Sequence, residues 1–299
     1  MPLFVGVDAG GSRTVAAAQR DDESPQTFVG EAANANVVGL QRAADAIAAA
    51  ALAASNGNRP DAIAVGAAGA ARREIADALA ALLLNRFPTT AITVSDDAQI
   101  ALRGAVPAGD GLVLIAGTGS LAYAEIHGRT VRAGGGGFAL GDDGSGYAIG
   151  AAALKLVLRC FDGRIPRDGS IEALAARIGA ADRGALLSYV YNDGAPVRSV
   201  AAMAPIVLEL ADAGERNAVK IVQAAALELF ELVRSVCRLS GATAENLPIA
   251  FSGGLLQTNS TLTYLIETRI ANELPYLQIV KGGGAPYFGA LAAARRLLA

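Results

Sequence analysis

Short apolar runs alternate with longer segments of helical periodicity in the first third of the chain. Residues 3–7 and 14–18 are apolar runs on either side of a small-residue turn, which predicts two strands joined by a tight connection. Residues 62–68 form a continuous apolar run typical of a buried strand, and the apolar residues of 72–84 recur at helical spacing. A helix over 41–54 and a strand over 91–94 complete this part. Strands that alternate with helices indicate an α/β lobe with a largely parallel or mixed sheet.

The opening pattern recurs after the turn-rich segment 106–111. Residues 112–116 are apolar, Gly-Thr-Gly-Ser follows at 117–120, and residues 121–126 are apolar again. The same order of parts occurs twice, so a duplicated lobe is the economical explanation. The predicted lobes are residues 1–107, joined by a C-terminal helix over 286–299, and residues 108–285.

The rest of the chain is predicted to be mostly helical. Helical stripes of apolar residues cover 147–160, 171–178, 200–213 and 218–240. Two short strands, 249–251 and 277–280, then end in glycines, and a closing helix covers 289–298.

Composition narrows the function classes. A chain of 299 residues that is 53% hydrophobic and 18% charged has ample material for two buried cores. The net charge of −3 gives no electrostatic reason to expect nucleic acid or an anionic membrane as a partner. The first residues pass directly into a strand pattern and no apolar stretch fits a bilayer, so we expect a cytoplasmic protein. We expect Cys160 and Cys237 to be buried, reduced thiols.

Four turns that contain glycine lie at predicted strand ends, and they are candidates for binding phosphate. A phosphate chain needs close approach of backbone N–H groups, which positions without side chains permit, and hydroxyls add further donors. Neither a Walker A sequence nor GxGxxG is present, so P-loop and dinucleotide-binding folds are disfavoured. The candidate nucleotide-binding residues are Gly10, Gly11, Ser12, Thr14, Gly117, Thr118, Gly119, Ser120, Gly253, Gly254 and Gly284.

Aspartates near strand ends supply a second signal. Asp8 and Asp97 each end a predicted strand, and Asp142 and Asp143 follow a run of four glycines. Phosphoryl transfer uses one carboxylate for hydrated Mg²⁺ and another to orient and deprotonate the attacking hydroxyl. This interpretation is favoured for Asp8 and Asp97, whereas Asp96 and Asp143 fit equally well as helix caps or turn formers.

These residues together resemble a known pattern. Segments 6–14, 117–120, 252–255 and 286–291 are similar to the first phosphate motif, the second phosphate motif, the adenosine motif and the final helix of one family. That family is the N-acetylglucosamine kinase branch of the actin, sugar kinase and heat-shock chaperone ATPase superfamily, grouped with the benzoyl-CoA reductase activator ATPases. The resemblance implies two actin-like (ribonuclease H-like) lobes that close on a nucleotide cleft, with ATP and Mg²⁺ as cofactors and Asp8 in the metal shell.

Three narrower matches concern the sugar. The loop around Asn34 resembles one whose asparagine contacts the sugar, and segment 95–98 resembles the motif whose aspartate, here Asp97, is the catalytic base. Segment 134–147 resembles the motif whose first aspartate, here Asp142, binds sugar hydroxyls. The resemblance therefore implies that these three side chains bind the substrate.

Three positions depart from the family pattern. Asp96 stands where relatives often have asparagine or threonine, Gly136 where they often have tryptophan, and Phe138 where they often have histidine. A tryptophan at 136 would wall the sugar pocket, and Gly136 removes that wall. We therefore expect glucosamine to be phosphorylated at a rate at least comparable with N-acetylglucosamine.

The sequence thus predicts a homodimeric, ATP-dependent kinase that phosphorylates an amino sugar, N-acetylglucosamine or glucosamine. One alternative is an ATPase activator subunit of a CoA-ester reductase or dehydratase. Such activators hold a bridging iron–sulfur cluster through cysteines, and this chain lacks a suitable pair. A second alternative is a non-catalytic sugar-sensing regulator, against which the presence of Asp97 speaks.

Overall fold

The structure, a computed structural model, describes residues 1–20, 23–191, 196–242 and 246–299. They form two compact units, Met1–Gly111 with Val280–Ala299, and Leu112–Ile279. Residues 108–111, which we predicted in the second lobe, thus fall in the first unit, and so do residues 280–285. Their packing gives the reason, because a Cβ atom on Gly283 would lie 2.7 Å from the Ala105 side chain.

The first unit is a five-stranded sheet with helices on both faces. Its elements are β1 (Leu3–Ala9), β2 (Thr14–Arg20), β3 (Gln26–Gly30), α1 (Ala35–Val38), α2 (Leu40–Ala54), β4 (Ala62–Ala67), α3 (Arg73–Arg86), β5 (Ala91–Asp96), α4 (Asp97–Ala105) and, from the chain's end, α12 (Pro286–Arg296). The strand order is β3-β2-β1-β4-β5. Strand β1 is antiparallel to β2 and parallel to β4, which is parallel to β5.

Alternation along β1 assigns its side chains to two faces. Val7 packs with Ile47 of α2 and Leu79 of α3 in a single buried cluster. Gly6 lies on the opposite face, where α12 approaches so closely that a Cβ atom would lie 2.5 Å from helix backbone. Since residues two apart share a face, Asp8 lies on the α12 side.

The second unit repeats the sheet and adds more helices. Its elements are β6 (Gly111–Ala116), β7 (Ser120–Ile126), β8 (Arg129–Gly134), α5 (Gly146–Phe161), α6 (Gly169–Arg177), α7 (Arg183–Tyr191), α8 (Pro196–Ala201), α9 (Ala204–Asp212), α10 (Arg216–Ser240), β9 (Leu247–Ser252), α11 (Thr261–Glu273) and β10 (Leu277–Val280). The strand order is β10-β9-β6-β7-β8, with β6 parallel to β9 and β7 antiparallel to β8.

The long helix α10 organises the second core. Leu229, Phe230 and Val233 lie on its apolar stripe and are almost fully buried against the sheet and the neighbouring helices. Its other faces carry charged residues. Neither α10 nor any other helix of the described residues is long and apolar enough to cross a membrane.

The predicted α/β class and the duplicated sheet are confirmed, and several elements differ. Strands β3 and β8 and helices α1 and α7 were not predicted. Most residues of the two strands are exposed or half-buried and give no apolar alternation. The helix predicted over 200–213 is two helices, α8 and α9, and Pro205 in the first turn of α9 marks the new start.

Candidate active site

The carboxyl ends of the parallel strands β1, β4 and β5 form one edge of the first sheet. Asp8 in β1 is paired with Gly66 in β4, and Gly66 is paired with Ser95 in β5. Neighbouring strands are about 4.8 Å apart, which puts the backbone of Asp8 about 10 Å from that of Ser95. Asp96 and Asp97 follow Ser95 directly, so Asp8 and Asp97 belong to the same edge of one sheet.

Asp8 is a half-buried acid at this edge. Burial raises the pKa of its carboxyl group to about 6, and the nearby guanidinium of Arg13 acts in the opposite direction. A partly desolvated carboxylate is stabilised by a cation placed beside it. Asp8 therefore fits the predicted position next to Mg²⁺.

Asp97 is the first residue of α4 and does not end a strand. We predicted a strand over 91–94, but β5 continues through Asp96, which is paired with Ala67. Asp96 caps the helix, and its Oδ1 accepts a hydrogen bond from the Ala98 N–H at 3.3 Å. The same N–H donates to Asp97 Oδ1 at 2.9 Å. The helix start therefore orients the Asp97 carboxylate, which is half-buried and still reaches solvent.

The first glycine turn connects β1 to β2. The Gly10 N–H donates to the Arg13 carbonyl at 3.0 Å and closes the turn, and the Gly10 carbonyl accepts from the Ala33 N–H at 3.1 Å. Gly11 and Ser12 are exposed at the tip. The turn is thus held at its base, with the predicted phosphate-binding backbone open at its tip.

Asn34 lies beside this turn. It caps α1, and its Oδ1 accepts a hydrogen bond from the Asn36 N–H at 3.0 Å. Its Nδ2 is 3.9 Å from the position of a Cβ atom on Gly11. The first unit therefore brings a predicted sugar contact next to a predicted phosphate contact.

The second glycine turn connects β6 to β7 and is held by the start of α5. The Gly117 N–H donates to the Gly119 carbonyl at 2.9 Å within the turn. The Gly146 N–H donates to the Gly117 carbonyl at 2.7 Å, and the Tyr147 N–H donates to the Thr118 carbonyl at 3.2 Å. The positive end of the α5 dipole is therefore directed at the turn, which favours an anion there.

Asp142 is packed on this second turn. Its carboxylate lies within 3.0 Å of the position of a Cβ atom on Gly119, and its Oδ1 accepts a hydrogen bond from the Ser120 N–H at 3.3 Å. Burial raises the pKa of this carboxyl group, and the Ser120 N–H opposes the rise. Gly136 is exposed, and a Cβ atom there would approach Leu140 only to 3.7 Å. The two predicted sugar contacts of this unit thus lie in the same loop, between β8 and α5.

Two of the predicted phosphate-binding hydroxyls are enclosed. Thr14 is fully buried, and its Oγ1 donates to the Glu31 carbonyl at 2.6 Å. Ser120 is 3% exposed, and its Oγ donates to the Asp143 carbonyl at 2.7 Å. In this arrangement each hydroxyl fastens the second strand of its sheet to the loop that follows the third strand.

The remaining predicted glycines have different surroundings. Gly253 has φ +87°, and a Cβ atom there would lie 2.3 Å from the Ala116 carbonyl oxygen. Gly254 is exposed, with nothing within 4 Å of such an atom. Gly284 packs on α4, where a Cβ atom would lie 2.6 Å from the Gly104 carbonyl oxygen. Packing thus explains the glycines at 253 and 284, and only 254 is open.

Sequence reasoning missed three side chains of the first unit. Arg13 lies in the first glycine turn beside Asp8, and its place within that motif was a usable signal. Arg72 donates through Nη2 to Asn36 Oδ1 at 2.8 Å. No sequence signal joins Arg72 to Asn36, because they are separated by β4 and meet only in the folded unit.

The profile of the BadF/BadG/BcrA/BcrD ATPase family matches residues 5–294. The chain belongs to this ATPase family. The predicted resemblance is therefore confirmed over nearly the whole length, and ATP use follows from it.

Named relatives of this family member are sugar kinases. The chain is 30% identical over 238 residues to N-acetylmuramic acid/N-acetylglucosamine kinase of Clostridium acetobutylicum, covering 78% of this chain and 77% of that protein. It is 33% identical over 178 residues to glucosamine kinase GspK of Vibrio cholerae, covering 56% of this chain and 58% of that protein. A solved structure, of a candidate N-acetylglucosamine kinase from Chromobacterium violaceum, has a TM-score of 0.79 and 24% identity over 100% of this chain and 99% of that one.

Phosphoryl transfer from ATP generally uses Mg²⁺ on the phosphates, and the residues at the first glycine turn fit such an arrangement. Among residues 1–20, 23–191, 196–242 and 246–299, no three His, Cys, Asp or Glu side chains group as a metal site. Mg²⁺ in phosphate-transfer sites keeps several waters and uses one or two carboxylates together with substrate phosphates. Asp8, half-buried beside the open tip of the first glycine turn, meets that requirement.

Proposed function

We propose that this protein is an ATP-dependent kinase that phosphorylates a hydroxyl of a small amino sugar, N-acetylglucosamine or glucosamine. The observation that carries the proposal is the placement of Asp8, Asn34 and Asp97 within one unit. Asp8 and Asp97 share the carboxyl edge of the sheet, and Asn34 adjoins the glycine turn that follows Asp8. The names of the relatives support the substrate class.

Asp97 is the proposed base. In the reaction it accepts the proton of the sugar hydroxyl while that oxygen forms a bond to the γ-phosphorus of ATP and the bond from phosphorus to the leaving ADP oxygen breaks. Asn34 orients the sugar through Nδ2, since its Oδ1 is occupied by the Asn36 N–H. Asp142 and Gly136 are the proposed sugar contacts of the second unit.

The phosphates are the proposed ligands of the glycine turns. In the first unit the Gly10 N–H closes the turn, so the backbone of Gly11 and Ser12 at the tip is the proposed donor to phosphate. In the second unit the N–H groups of Gly117 and Ser120 are bonded within the protein, so the backbone of Thr118 and Gly119 is the proposed donor there. Mg²⁺ bound with ATP neutralises phosphate charge, and Asp8 would hold its shell. Gly253, Gly254 and Gly284 are the proposed neighbours of the adenosine, of which Gly254 has the open surroundings that such contact needs.

The cysteines favour a kinase over an activator ATPase, although the family includes both chemistries by resemblance. Cys237 is buried, and burial raises the pKa of its thiol, which works against the thiolate form that iron–sulfur ligation requires. Cys160 is half-buried, which corrects our expectation that both thiols are buried. Its position on a helix explains the difference, since Cys160 lies near the end of α5.

A coupled assay of ADP formation over hexoses and hexosamines tests the proposal. We expect turnover with N-acetylglucosamine and glucosamine, with ³¹P spectra showing a sugar phosphate. ATP hydrolysis without a phosphorylated sugar, in protein that carries iron and acid-labile sulfide after anaerobic purification, would instead establish the activator function.

A further inference from the structure

We propose that Arg72 is a positioning residue for sugar binding, which it controls by holding the Asn34 loop through Asn36. The inference rests on the proposed function, because it takes Asn34 as the sugar contact. Arg72 lies between β4 and α3, outside the glycine turns and outside the segments that contain the proposed sugar contacts. Its effect is therefore separable from those of the phosphate turns and of Asp97.

Two hydrogen bonds connect Arg72 to Asn34. Arg72 Nη2 donates to Asn36 Oδ1 at 2.8 Å, and the Asn36 N–H donates to Asn34 Oδ1 at 3.0 Å. Asn36 thus receives the guanidinium on its side chain and orients Asn34 with its backbone. The first of these bonds has a charged donor, but both of its residues are exposed, so solvent competes with it and its contribution is modest.

Gly69 gives this chain of contacts its fixed support. It has φ +89°, and a Cβ atom there would lie 2.6 Å from Asn36 Nδ2 and 3.0 Å from Asn34 Oδ1. The two asparagines therefore rest directly on backbone at residue 69. Only glycine allows both this conformation and this approach. Arg72, three residues further on, adds its hydrogen bond to Asn36 Oδ1.

The Asn34 loop needs such support because its own structure is weak. Helix α1 has four residues, and a single turn of helix is unstable without outside contacts. Asn34 Oδ1 is occupied, so Nδ2 is the atom left to donate to a sugar oxygen, and it lies on the Gly11 side. A rotation of the loop would turn this donor away from the ligand. Arg72 opposes that rotation.

Arg73 provides a matched control. It is adjacent in sequence and of the same charge, but its Nε lies 3.6 Å from Asp77 Oδ2 one turn along α3, and its side chain is 91% exposed. Arg72 instead donates a hydrogen bond to Asn36 in the Asn34 loop. Replacing either residue removes one positive charge from the start of α3. The variants differ in the contact that is lost, which is the bond to Asn36 for Arg72 and an exposed ion pair with Asp77 for Arg73.

Steady-state kinetics of R72A, R72K and R73A, with sugar and ATP varied separately, test the inference. In R72A we expect KM for the amino sugar to rise about three- to fivefold, the value of an exposed charged contact, with KM for ATP unchanged and kcat reduced less than KM rises. R72K should recover part of the loss, and R73A should match wild type. N36A should reproduce R72A, and the double variant should be no worse than either single variant.

The outcomes separate the two claims. An active wild type with normal sugar KM in R72A, or with equal effects in R72A and R73A, contradicts the inference alone. A fall in thermal stability large enough to change both KM values equally also contradicts it, since positioning should act on the sugar. A wild type that phosphorylates no hexosamine contradicts the proposed function, and the inference with it.

Discussion

The two units repeat one scaffold down to single hydrogen bonds. In each sheet the third, second, first, fourth and fifth strands of the unit lie side by side in that order. Each second strand begins with a buried hydroxyl, Thr14 or Ser120, that donates to a backbone carbonyl beyond the third strand. Each first strand also receives a backbone bond at its end, from Ala68 to Ala9 in one unit and from Leu255 to Ala116 in the other.

The units differ in the side chains that this shared scaffold presents. One residue before the end of the first strand stands Asp8 in the first unit and Ile115 in the second. The fifth strand ends in Asp96, followed by Asp97, in the first unit and in Val280 in the second. Acids therefore occupy strand ends in one unit where apolar residues occupy them in the other.

This contrast indicates a division of labour. Both units keep a glycine turn that suits an anion, which depends on backbone and needs little side-chain chemistry. Proton transfer and metal contact need carboxylates, and at the equivalent strand ends these stand only in the first unit among the described residues. We therefore expect substitutions at the strand ends of the first unit to act on chemistry, and those in the second to act on binding or stability.

The largest effect is expected at Asp97. Asp97→Asn keeps the shape and the start of α4 but removes the proton acceptor, so kcat should fall by ~10²–10⁴-fold. Nucleotide affinity should be nearly unchanged. Asp96→Asn is the matched control, since asparagine is as good a helix cap as aspartate, and its activity should stay close to wild type. Equal losses in the two variants would remove the special role of Asp97.

Asp8→Asn should weaken Mg²⁺-dependent ATP use by about 100-fold or more in kcat/KM, because a metal contact is worth several kcal/mol. Sugar binding measured alone by calorimetry should persist. A collapse of sugar affinity with unaltered Mg²⁺ dependence would contradict the assignment. Ile115 is the equivalent residue of the second unit, but it carries no predicted chemistry. Ile115→Asn is therefore not a matched control for Asp8→Asn.

Asp8→Asn should lower activity but raise the stability of the ligand-free protein. The pKa of Asp8 is raised to about 6 by burial, so the folded state holds this proton more tightly than the unfolded state does. Its ionisation therefore destabilises the fold increasingly as pH rises from about 4 to about 6, and fully above that. Thermal melts should show that Asp8→Asn gains little stability over wild type below about pH 4.5 and gains most above about pH 7. A stability gain that shrinks as the pH rises would contradict the raised pKa of Asp8.

Sequence reasoning recovered what depends on local pattern. The hairpin repeat was visible because both copies have apolar strands around small-residue turns. Asp8 and Asp97 were singled out because they lie near the ends of apolar strands, and their roles stay predictions. The edge strands β3 and β8 were missed, because exposed edges need no apolar alternation. Contacts between distant segments were also missed. The Arg72 to Asn36 bond exists only after β4 has entered the sheet, and the burial of Thr14 depends on β3.

The glycines at 253 and 254 separate scaffold from binding in the second unit. Gly253→Ala places a side chain on a left-handed backbone conformation, and its Cβ atom would lie 2.3 Å from the Ala116 oxygen. The free energy of unfolding should therefore fall by more than about 2 kcal/mol. Gly254→Ala meets nothing within 4 Å and should leave stability unchanged while weakening nucleotide binding. Denaturant melts and ATP titrations measure the two. Reduced stability in Gly254→Ala would contradict its open placement.

The paired hydroxyls test whether the repeat is structural. Thr14→Val and Ser120→Ala each leave a carbonyl without its donor, which should lower the free energy of unfolding by about 1–2 kcal/mol in each unit. If both hydroxyls act only on the scaffold, KM for ATP should change little in either variant. A selective rise of KM for ATP in one variant would show that its hydroxyl reaches phosphate during turnover and would break the equivalence of the units.

The smallest effect is expected in the choice of amino sugar. Gly136 is exposed and offers no apolar wall, so an N-acetyl methyl group gains few contacts there, and such contacts are worth only ~1–3 kcal/mol. Asp96 contributes little to the choice, because its Oδ1 is engaged in capping α4. We therefore expect kcat/KM for glucosamine to be at least comparable with that for N-acetylglucosamine. Gly136→Trp, whose Cβ atom would meet Leu140 at an ordinary contact distance of 3.7 Å, should shift the ratio toward N-acetylglucosamine by about 1 kcal/mol, roughly fivefold. A strong wild-type preference for N-acetylglucosamine that Gly136→Trp leaves unchanged would show that residue 136 does not wall the pocket, and would remove Gly136 from the proposed sugar contacts of the second unit.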